Sequence, residues 1–239
     1  MNIALIGHGK MGKEIERIAS DKGHAIITSF TKSRPLSADK ISNADVCIDF
    51  SSADTVIQNV TICAQAQTPV VIGTTGWSAQ IENIKTIVRE KNIGLIYASN
   101  FSIGVNLFMK IIQTAGTLFN HFEDYDVALH EIHHNQKADS PSGTALSLAE
   151  ILLRQIHRKK SILTEKPNGK ISPEQLHVTS IRTGSVPGTH SVTFDSSADS
   201  IELTHTARNR SGFALGAVLA AEWIRDKKGF YTISDMLNF

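Results

Sequence analysis

Cysteine is scarce in this chain of 239 residues, which has two, Cys47 and Cys63. Both lie within apolar runs and show no CxxC spacing. That argues against a disulfide framework or a zinc site and leaves buried free thiols in a reducing compartment. Proline is sparse as well, with six residues, and there is no low-complexity tract or internal repeat, so neither a disordered class nor a solenoid is indicated. Charge of one sign is not in excess. Lysine and arginine number 24 against 23 acids, and no basic run is present to track a phosphate backbone, which excludes nucleic acid as an expected partner. No apolar run is long enough to span a membrane, and Met1 to Ile6 enter a strand pattern with no basic stretch or cleavage-like site before it. The expectation is a cytoplasmic chain with no membrane partner.

What is present is an alternation of short apolar runs and helical patterns. Ile3 to Ile6 reads as a strand, followed by Met11, Ile15, Ile18 and Ala19 on one helical face. Strands over His24 to Phe30, Ala44 to Phe50, Pro69 to Gly73 and Ile93 to Ala98 follow, with helices over Thr55 to Ala66 and Ile81 to Lys91. Strands separated by helices call for crossovers, hence an α/β fold with a doubly wound, Rossmann-like parallel sheet. After Asn100 the pattern changes. A helix over Ile103 to Phe119, an extended run from Tyr125 to Glu131 and a helix from Thr144 to His157 precede strands at Gln175 to Thr183, His190 to Phe194 and Ile201 to Ala207. This region is expected to be an inserted α+β domain with an open mixed sheet, residues 103–208, between the segments 1–102 and 209–239 of a dinucleotide-binding domain.

Gly7, Gly9 and Gly12 spell GxGxxG directly after the first strand and at the start of the first helix. There the glycines permit a tight turn and close approach of a pyrophosphate, and the helix N-terminus offers free N–H groups to it. A purely structural strand-to-helix turn is the competing reading. An acid about 20 residues further on would bind the ribose hydroxyls of NAD, yet His24 to Ala38 contains none. Lys32 and Arg34 stand there instead, either as partners of the 2′-phosphate of NADP or as solvated loop charges, so NADPH is expected to be preferred over NADH. Gly73-Thr74-Thr75-Gly76 and Ala98-Ser99-Asn100-Phe101 also follow strand ends, with room for ribose and nicotinamide or as plain turns.

The segment from Glu131 to Thr144 concentrates chemistry, with His133, His134, Lys137 and Asp139 followed by Pro141, Ser142, Gly143 and Thr144 at a helix start. Donors at such a start suit a carboxylate, although a serine N-cap alone would also explain Ser142. Adjacent histidines in a strand point to opposite faces, and no HExxH spacing occurs, so no metal is expected. Arg208 and Arg210 are further candidates for anion contacts or for ordinary ion pairs.

In these residues the chain resembles the 4-hydroxy-tetrahydrodipicolinate reductase family. The match runs through Glu-x-His-His-x-x-Lys-x-Asp-x-Pro-Ser-Gly-Thr, Asp49-Phe50-Ser51, Ser99-Asn100-Phe101-Ser102-x-Gly104-Val105-Asn106, Arg182-x-Gly184 and His205-x-Ala207, covering essentially the whole chain. The resemblance implies an NAD(P)H-dependent reductase in which His133 donates or accepts a proton, Lys137 donates one, and His134, Gly143 and Thr144 bind a dicarboxylate. It implies nucleotide contacts from the loop Gly7, His8, Gly9, Lys10, Met11 and Gly12, from Gly73, Thr74 and Thr75, and from Ala98, Ser99, Asn100 and Phe101. It also implies that the last helix returns to the nucleotide domain and that the protein is a homotetramer. Many members have a glycine loop one residue longer and an acid after the second strand; both differences bear on cofactor choice. Two other readings remain, an NAD(P)H reductase of another small dicarboxylate and a redox-sensing regulatory protein. A sensor of that kind would need a basic recognition segment, which the sequence lacks.

Overall fold

Ile3 to Ile6 is apolar without alternation, the pattern of a strand covered on both faces. In the computed structural model, which describes residues 1–239, it forms β1 (Asn2–Ile6), buried from Ile3 onward. The chain divides into two compact units, one comprising Met1–Asn106 with Arg210–Phe239, the other Leu107–Asn209.

In the first unit, β1 is joined by β2 (Ala25–Phe30), β3 (Val46–Asp49), β4 (Val70–Ile72), β5 (Gly94–Tyr97) and the last strand of the chain, β11 (Gly229–Thr232). All pairs are parallel, in the order β11-β5-β4-β3-β1-β2. Successive side chains of β1 face opposite ways. Ile3 and Leu5 pack with α1 (Lys10–Asp21) and α6 (Ser211–Ile224), while Ala4 and Ile6 pack with α2 (Val56–Gln65) and α3 (Ile81–Lys91). Helices therefore cover both faces, and α6, apolar on nearly every side, lies in this unit. Two details differ from expectation. The crossover from β2 to β3 contains only a 3-10 turn at Ala38–Ile41, anchored by buried Ile41, and β11 with the short α7 (Ile233–Leu237) was not anticipated. The strand order reverses at β1, between β2 and β3, which is where open α/β sheets bind ligands.

The second unit carries a mixed sheet built from β6 (Asp126–His133), β7 (Ser161–Leu163), β8 (Gln175–Arg182), β9 (Thr189–Asp195) and β10 (Ser200–Thr206). Their order is β10-β9-β6-β8-β7, with β6 parallel to β8 and antiparallel to β9. One face is covered by α4 (Ile103–Phe119), whose first turn lies in the other unit, and by α5 (Gly143–Gln155). Phe108, Ile112, Leu148 and Leu152 pack there against Leu129, Val178, Val192 and Phe194. Ala128 and Ile181 lie on the opposite, exposed face.

Candidate functional sites

The chain leaves β1 through Gly7 at φ +91°, where a Cβ would lie 2.3 Å from the Phe50 carbonyl oxygen. A Cβ on Gly12 would stand 2.3 Å from the Gly7 oxygen, so α1 can start this close to β1 only without a side chain there. Around Gly9 nothing lies within 4 Å of a Cβ position, and α1 has no side-chain cap. No side chain takes its first N–H groups, which leaves them for an anion such as a pyrophosphate.

A cavity of about 560 Å³ opens here beside the ends of β1, β2 and β3. Of the expected nucleotide contacts, Gly7, His8, Gly9 and Lys32 line it, and Ser51, Ser52 and Thr55 add hydroxyls that the sequence reading missed. His8 Nε2 lies 2.7 Å from Glu16 Oε2. Lys10, Met11 and Gly12 belong to α1, with Met11 packed on the core. Arg34 is not in the wall. Its guanidinium donates to Thr28 Oγ1 at 3.3 Å, and its backbone pairs in both directions with Thr31, forming a tight turn that carries Lys32.

Gly73, Thr74 and Thr75 follow β4, and Ala98, Ser99, Asn100 and Phe101 follow β5; none lines this cavity. Ala98 and Phe101 are buried, and the Asn100 carboxamide oxygen accepts from Ser102 N at 2.9 Å. Thr74 Oγ1 donates inward to Asp49 at 3.0 Å. At Ala98, Phe101 and Thr74, then, main chain rather than side chain is what a ligand could meet. Asp49, which had no assigned role, is fully buried and also accepts from Ser51 N, Ser51 Oγ and Asn59 Nδ2 at 2.8, 2.6 and 2.9 Å. Burial raises its pKa, and these donors oppose the rise. The carboxylate thereby ties the loops after β3 and β4 together.

In the second unit, the alternation along β6 places Val127, Leu129, Glu131 and His133 on one buried face. Towards the strand end, that face changes from apolar to ionisable. Register sets Glu131 beside Ser180 on β8 and His190 on β9, and His133 beside Arg182. The result is a buried polar cluster. Glu131 Oε1 accepts from Arg182 Nη2 at 2.7 Å, Ser180 Oγ at 2.8 Å and Ser142 N at 3.0 Å. Its Oε2 lies 2.7 Å from His133 Nδ1 and 3.7 Å from His190 Nε2. The His190 Nε2 and Ser142 Oγ are 3.1 Å apart.

Burial would raise the Glu131 pKa, but Ser142, Arg182 and Ser180 outweigh it and hold the carboxyl at about 2. Burial pushes His190 down to about 4, with His133 adding to the effect. Burial likewise lowers His133; Glu131 opposes this, and Lys137 and Arg182 reinforce it. At neutral pH the cluster is thus an ionised carboxylate facing a guanidinium and two neutral imidazoles.

β6 ends at His133, and the chain turns directly beyond it, with Lys137 N donating to the His134 carbonyl oxygen at 3.1 Å. The Lys137 ammonium pairs with Asp139, at 2.7 and 2.9 Å from its two oxygens. Ser142 is the N-cap of α5, its Oγ accepting from Ala145 N, so both its N–H and its hydroxyl are already used. The Gly143 and Thr144 amides find no acceptor on the protein. They are free anion donors at a helix N-terminus.

The sequence reading gave Glu131, Ser180, Arg182 and His190 no role. Glu131, His133 and His190 bring ligand atoms within 4.8 Å of one another, a grouping that invites the question of a metal. Arg182 already supplies the positive charge opposite Glu131, and Oε1 is saturated by three donors, so the arrangement suits proton placement better than cation binding.

An open parallel sheet with a glycine turn at its reversal point defines an α/β dinucleotide-binding protein, here with an α+β unit inserted into the chain. The family described as dihydrodipicolinate reductase, N-terminus, matches residues 1–101, and its C-terminus residues 104–237. The chain is 42% identical to the 4-hydroxy-tetrahydrodipicolinate reductase of Christiangramia forsetii, covering 100% of this chain and 98% of that one. It is 37% identical to the protein of the same name from Archaeoglobus fulgidus, covering 100% of both. In fold it is similar to the dipicolinate-bound dihydrodipicolinate reductase of Paenisporosarcina sp. TG-14, with TM-score 0.80 and 23% identity over 99% of each chain. The protein belongs to the dihydrodipicolinate reductase family, a family of NAD(P)H-dependent oxidoreductases.

Proposed function

We propose that this protein reduces 4-hydroxy-tetrahydrodipicolinate to tetrahydrodipicolinate, consuming NAD(P)H and a proton and releasing NAD(P)⁺ and water, in diaminopimelate and lysine biosynthesis. The observation that carries the reading is the pairing of His133 and Lys137 with the free Gly143 and Thr144 amides in one segment of a chain whose whole length matches this family. The bound nicotinamide supplies hydride to an electrophilic carbon of the cyclic imine. The protein supplies orientation, a cationic environment for two carboxylates, and the coupled proton.

In this reading the first unit holds the nucleotide, with Gly7 to Gly12 at the pyrophosphate and Gly73 to Thr75 and Ala98 to Phe101 contributing main chain. Lys32, in the cavity wall, meets the 2′-phosphate and makes NADPH the preferred cofactor, while the Arg34 guanidinium is engaged with Thr28 Oγ1. The second unit holds the dicarboxylate on Gly143, Thr144 and His134. Lys137 is the proton donor, and His133, neutral at physiological pH, is the group that accepts and returns a proton. The bare sheet face bearing Ala128 and Ile181 offers a surface through which four copies assemble. No helix is long and apolar enough to cross a membrane, and the buried free thiols Cys47 and Cys63 suit the cytoplasm.

The test is loss of reduced-nicotinamide absorbance with freshly generated 4-hydroxy-tetrahydrodipicolinate, run with NADPH and NADH against buffer alone. Oxidation dependent on the dicarboxylate is the expected result; its absence with both cofactors overturns the proposal.

A further inference from the structure

Glu131 faces five groups from four elements, and its two oxygens serve different partners. Oε1 takes the Ser142 N–H at the start of α5 and the Ser180 and Arg182 side chains of β8, which fills its acceptor capacity. Oε2 has His133 Nδ1 as its near neighbour, at 2.7 Å though out of line for a hydrogen bond, and His190 Nε2 at 3.7 Å; neither Oε2 nor Nδ1 has a hydrogen-bond partner elsewhere. A carboxylate that is ionised and fully buried can face an imidazole nitrogen at that distance only if the nitrogen carries the proton. The other ring nitrogen, Nε2, points towards Gly188, where a Cβ would stand 2.8 Å away, so a side chain at that position would cover it.

We propose that Glu131 is a positioning residue for both functions of this unit. Its Oε2 fixes His133 as the Nδ1–H tautomer with Nε2 as the reacting nitrogen, and its Oε1 pins the start of α5 so that the Gly143 and Thr144 amides stay open to a substrate carboxylate. One buried charge thus ties the proton-handling ring to the anion-binding turn. Arg182 holds the arrangement from the other side, since Nη2 also donates to the Asp139 carbonyl oxygen at 2.6 Å, in the loop between Lys137 and Ser142. The inference rests on the reductase reading for the identity of the substrate, but not for the tautomer.

Glu131→Gln separates the two roles. The amide oxygen suits the three donors at Oε1, which leaves the amide NH₂ facing His133 Nδ1 and demands a lone pair there. The ring proton then moves to Nε2, while the α5 turn is retained. The expected kinetic effect is a loss of kcat of about 100-fold or more, as for other histidines forced into the wrong tautomer, with KM for the dicarboxylate unchanged within about 3-fold. The structural readout is the pair of ring ¹⁵N shifts of His133 in ¹⁵N-histidine-labelled protein, assigned by their disappearance in His133→Gln. The wild type should show a protonated Nδ1 and an unprotonated Nε2, and Glu131→Gln the reverse.

A wild-type spectrum with the proton on Nε2 overturns the proposal without any Glu131 variant having to fold. Glu131→Gln with an unchanged tautomer, or with kcat within about 3-fold of wild type, overturns it equally. If the wild type does not oxidise NADPH with this dicarboxylate, the reductase reading fails instead, and the ring shifts still decide the role of Glu131.

Discussion

Lys137 Nζ sits between both oxygens of Asp139, at 2.7 and 2.9 Å, in a pair that is more than half exposed on the acid side. Such pairs contribute only about 0–1 kcal/mol, so the ammonium is held but readily transferred to a substrate carboxylate or a developing basic carbon. Lys137→Ala should therefore lower kcat by about 100-fold to 10,000-fold while leaving the Kd for NADPH within about 2-fold, as loss of a general acid predicts. Asp139→Asn, which removes only the holding partner, should cost less than about 10-fold. Steady-state rates and NADPH fluorescence titration check both. Near-native turnover in Lys137→Ala would remove it from the mechanism.

Lys32 and Arg34 flank the same tight turn, but they are placed differently. Lys32 lines the cavity, whereas the Arg34 guanidinium is engaged with Thr28 Oγ1. A charge-assisted contact to a 2′-phosphate contributes about 1.5–3 kcal/mol, so Lys32→Ala should raise KM for NADPH by at least about 10-fold. KM for NADH should change less than about 2-fold, because NADH carries no such phosphate. Arg34→Ala should have the smaller effect on NADPH. Equal losses with both cofactors in Lys32→Ala would show that this lysine does not read the phosphate.

Much of the first unit is legible in the sequence because its signals are local. The glycine turn, the unbroken apolar run of β1 and the bounds of α3 and α4 each follow from neighbouring residues, through turn chemistry or helical period. β11 is different. Its four residues show no strong alternation, and it becomes a strand only by pairing with β5 across more than half the chain. The candidate site divides the same way. His133, Lys137, Gly143 and Thr144 sit within one segment that can be read directly. The partners of Glu131 come from Ser180 and Arg182, 49 and 51 positions away, and from His190 on β9, brought in by strand register that one sequence does not reveal. A signal for His190 was available all the same. It alternates with Val192 and Phe194, which places it on the apolar face of β9, where a histidine needs a polar partner.

Gly216, inside α6, lies directly against the segment after β5, and a Cβ there would fall 1.7 Å from the Phe101 carbonyl oxygen. Backbone on both sides leaves no flexible side chain to yield, so Gly216→Ala must move α6 or the Ala98 to Phe101 loop. Overpacking of this kind costs about 1–3 kcal/mol or more, which in a chain of this size lowers Tm by about 2–4 °C per kcal/mol. Because that loop is a proposed nucleotide contact, NADPH should also bind more weakly. Gly212→Ala in the same helix is the control. Its Cβ would meet only Ser102 Oγ, at 3.5 Å, so it should be neutral or stabilising by up to about 1 kcal/mol. Equal melting temperatures for the two variants would contradict the close packing at Gly216.

The buried cluster also sets how the protein responds to acid. Burial holds His190 at about 4 against an ordinary 6.5, so between these values the unfolded chain binds a proton that the folded protein refuses. Stability is therefore full above about pH 6.5 and falls as pH drops towards about 4, by roughly 3 kcal/mol at most from this residue. Glu131 extends the loss. Its carboxyl is held at about 2 against 4.5, so the stability it lends is complete above pH 4.5 and disappears as pH falls through about 2. Both groups act in the same direction, and the histidine acts first. Urea midpoints measured between about pH 7.5 and pH 4 should fall steadily in the wild type. In His190→Gln, which keeps a polar partner for Ser142 but has no proton to gain, the decline between pH 6.5 and 4.5 should flatten. An unchanged slope would mean that His190 is not the group through which acid first destabilises the fold.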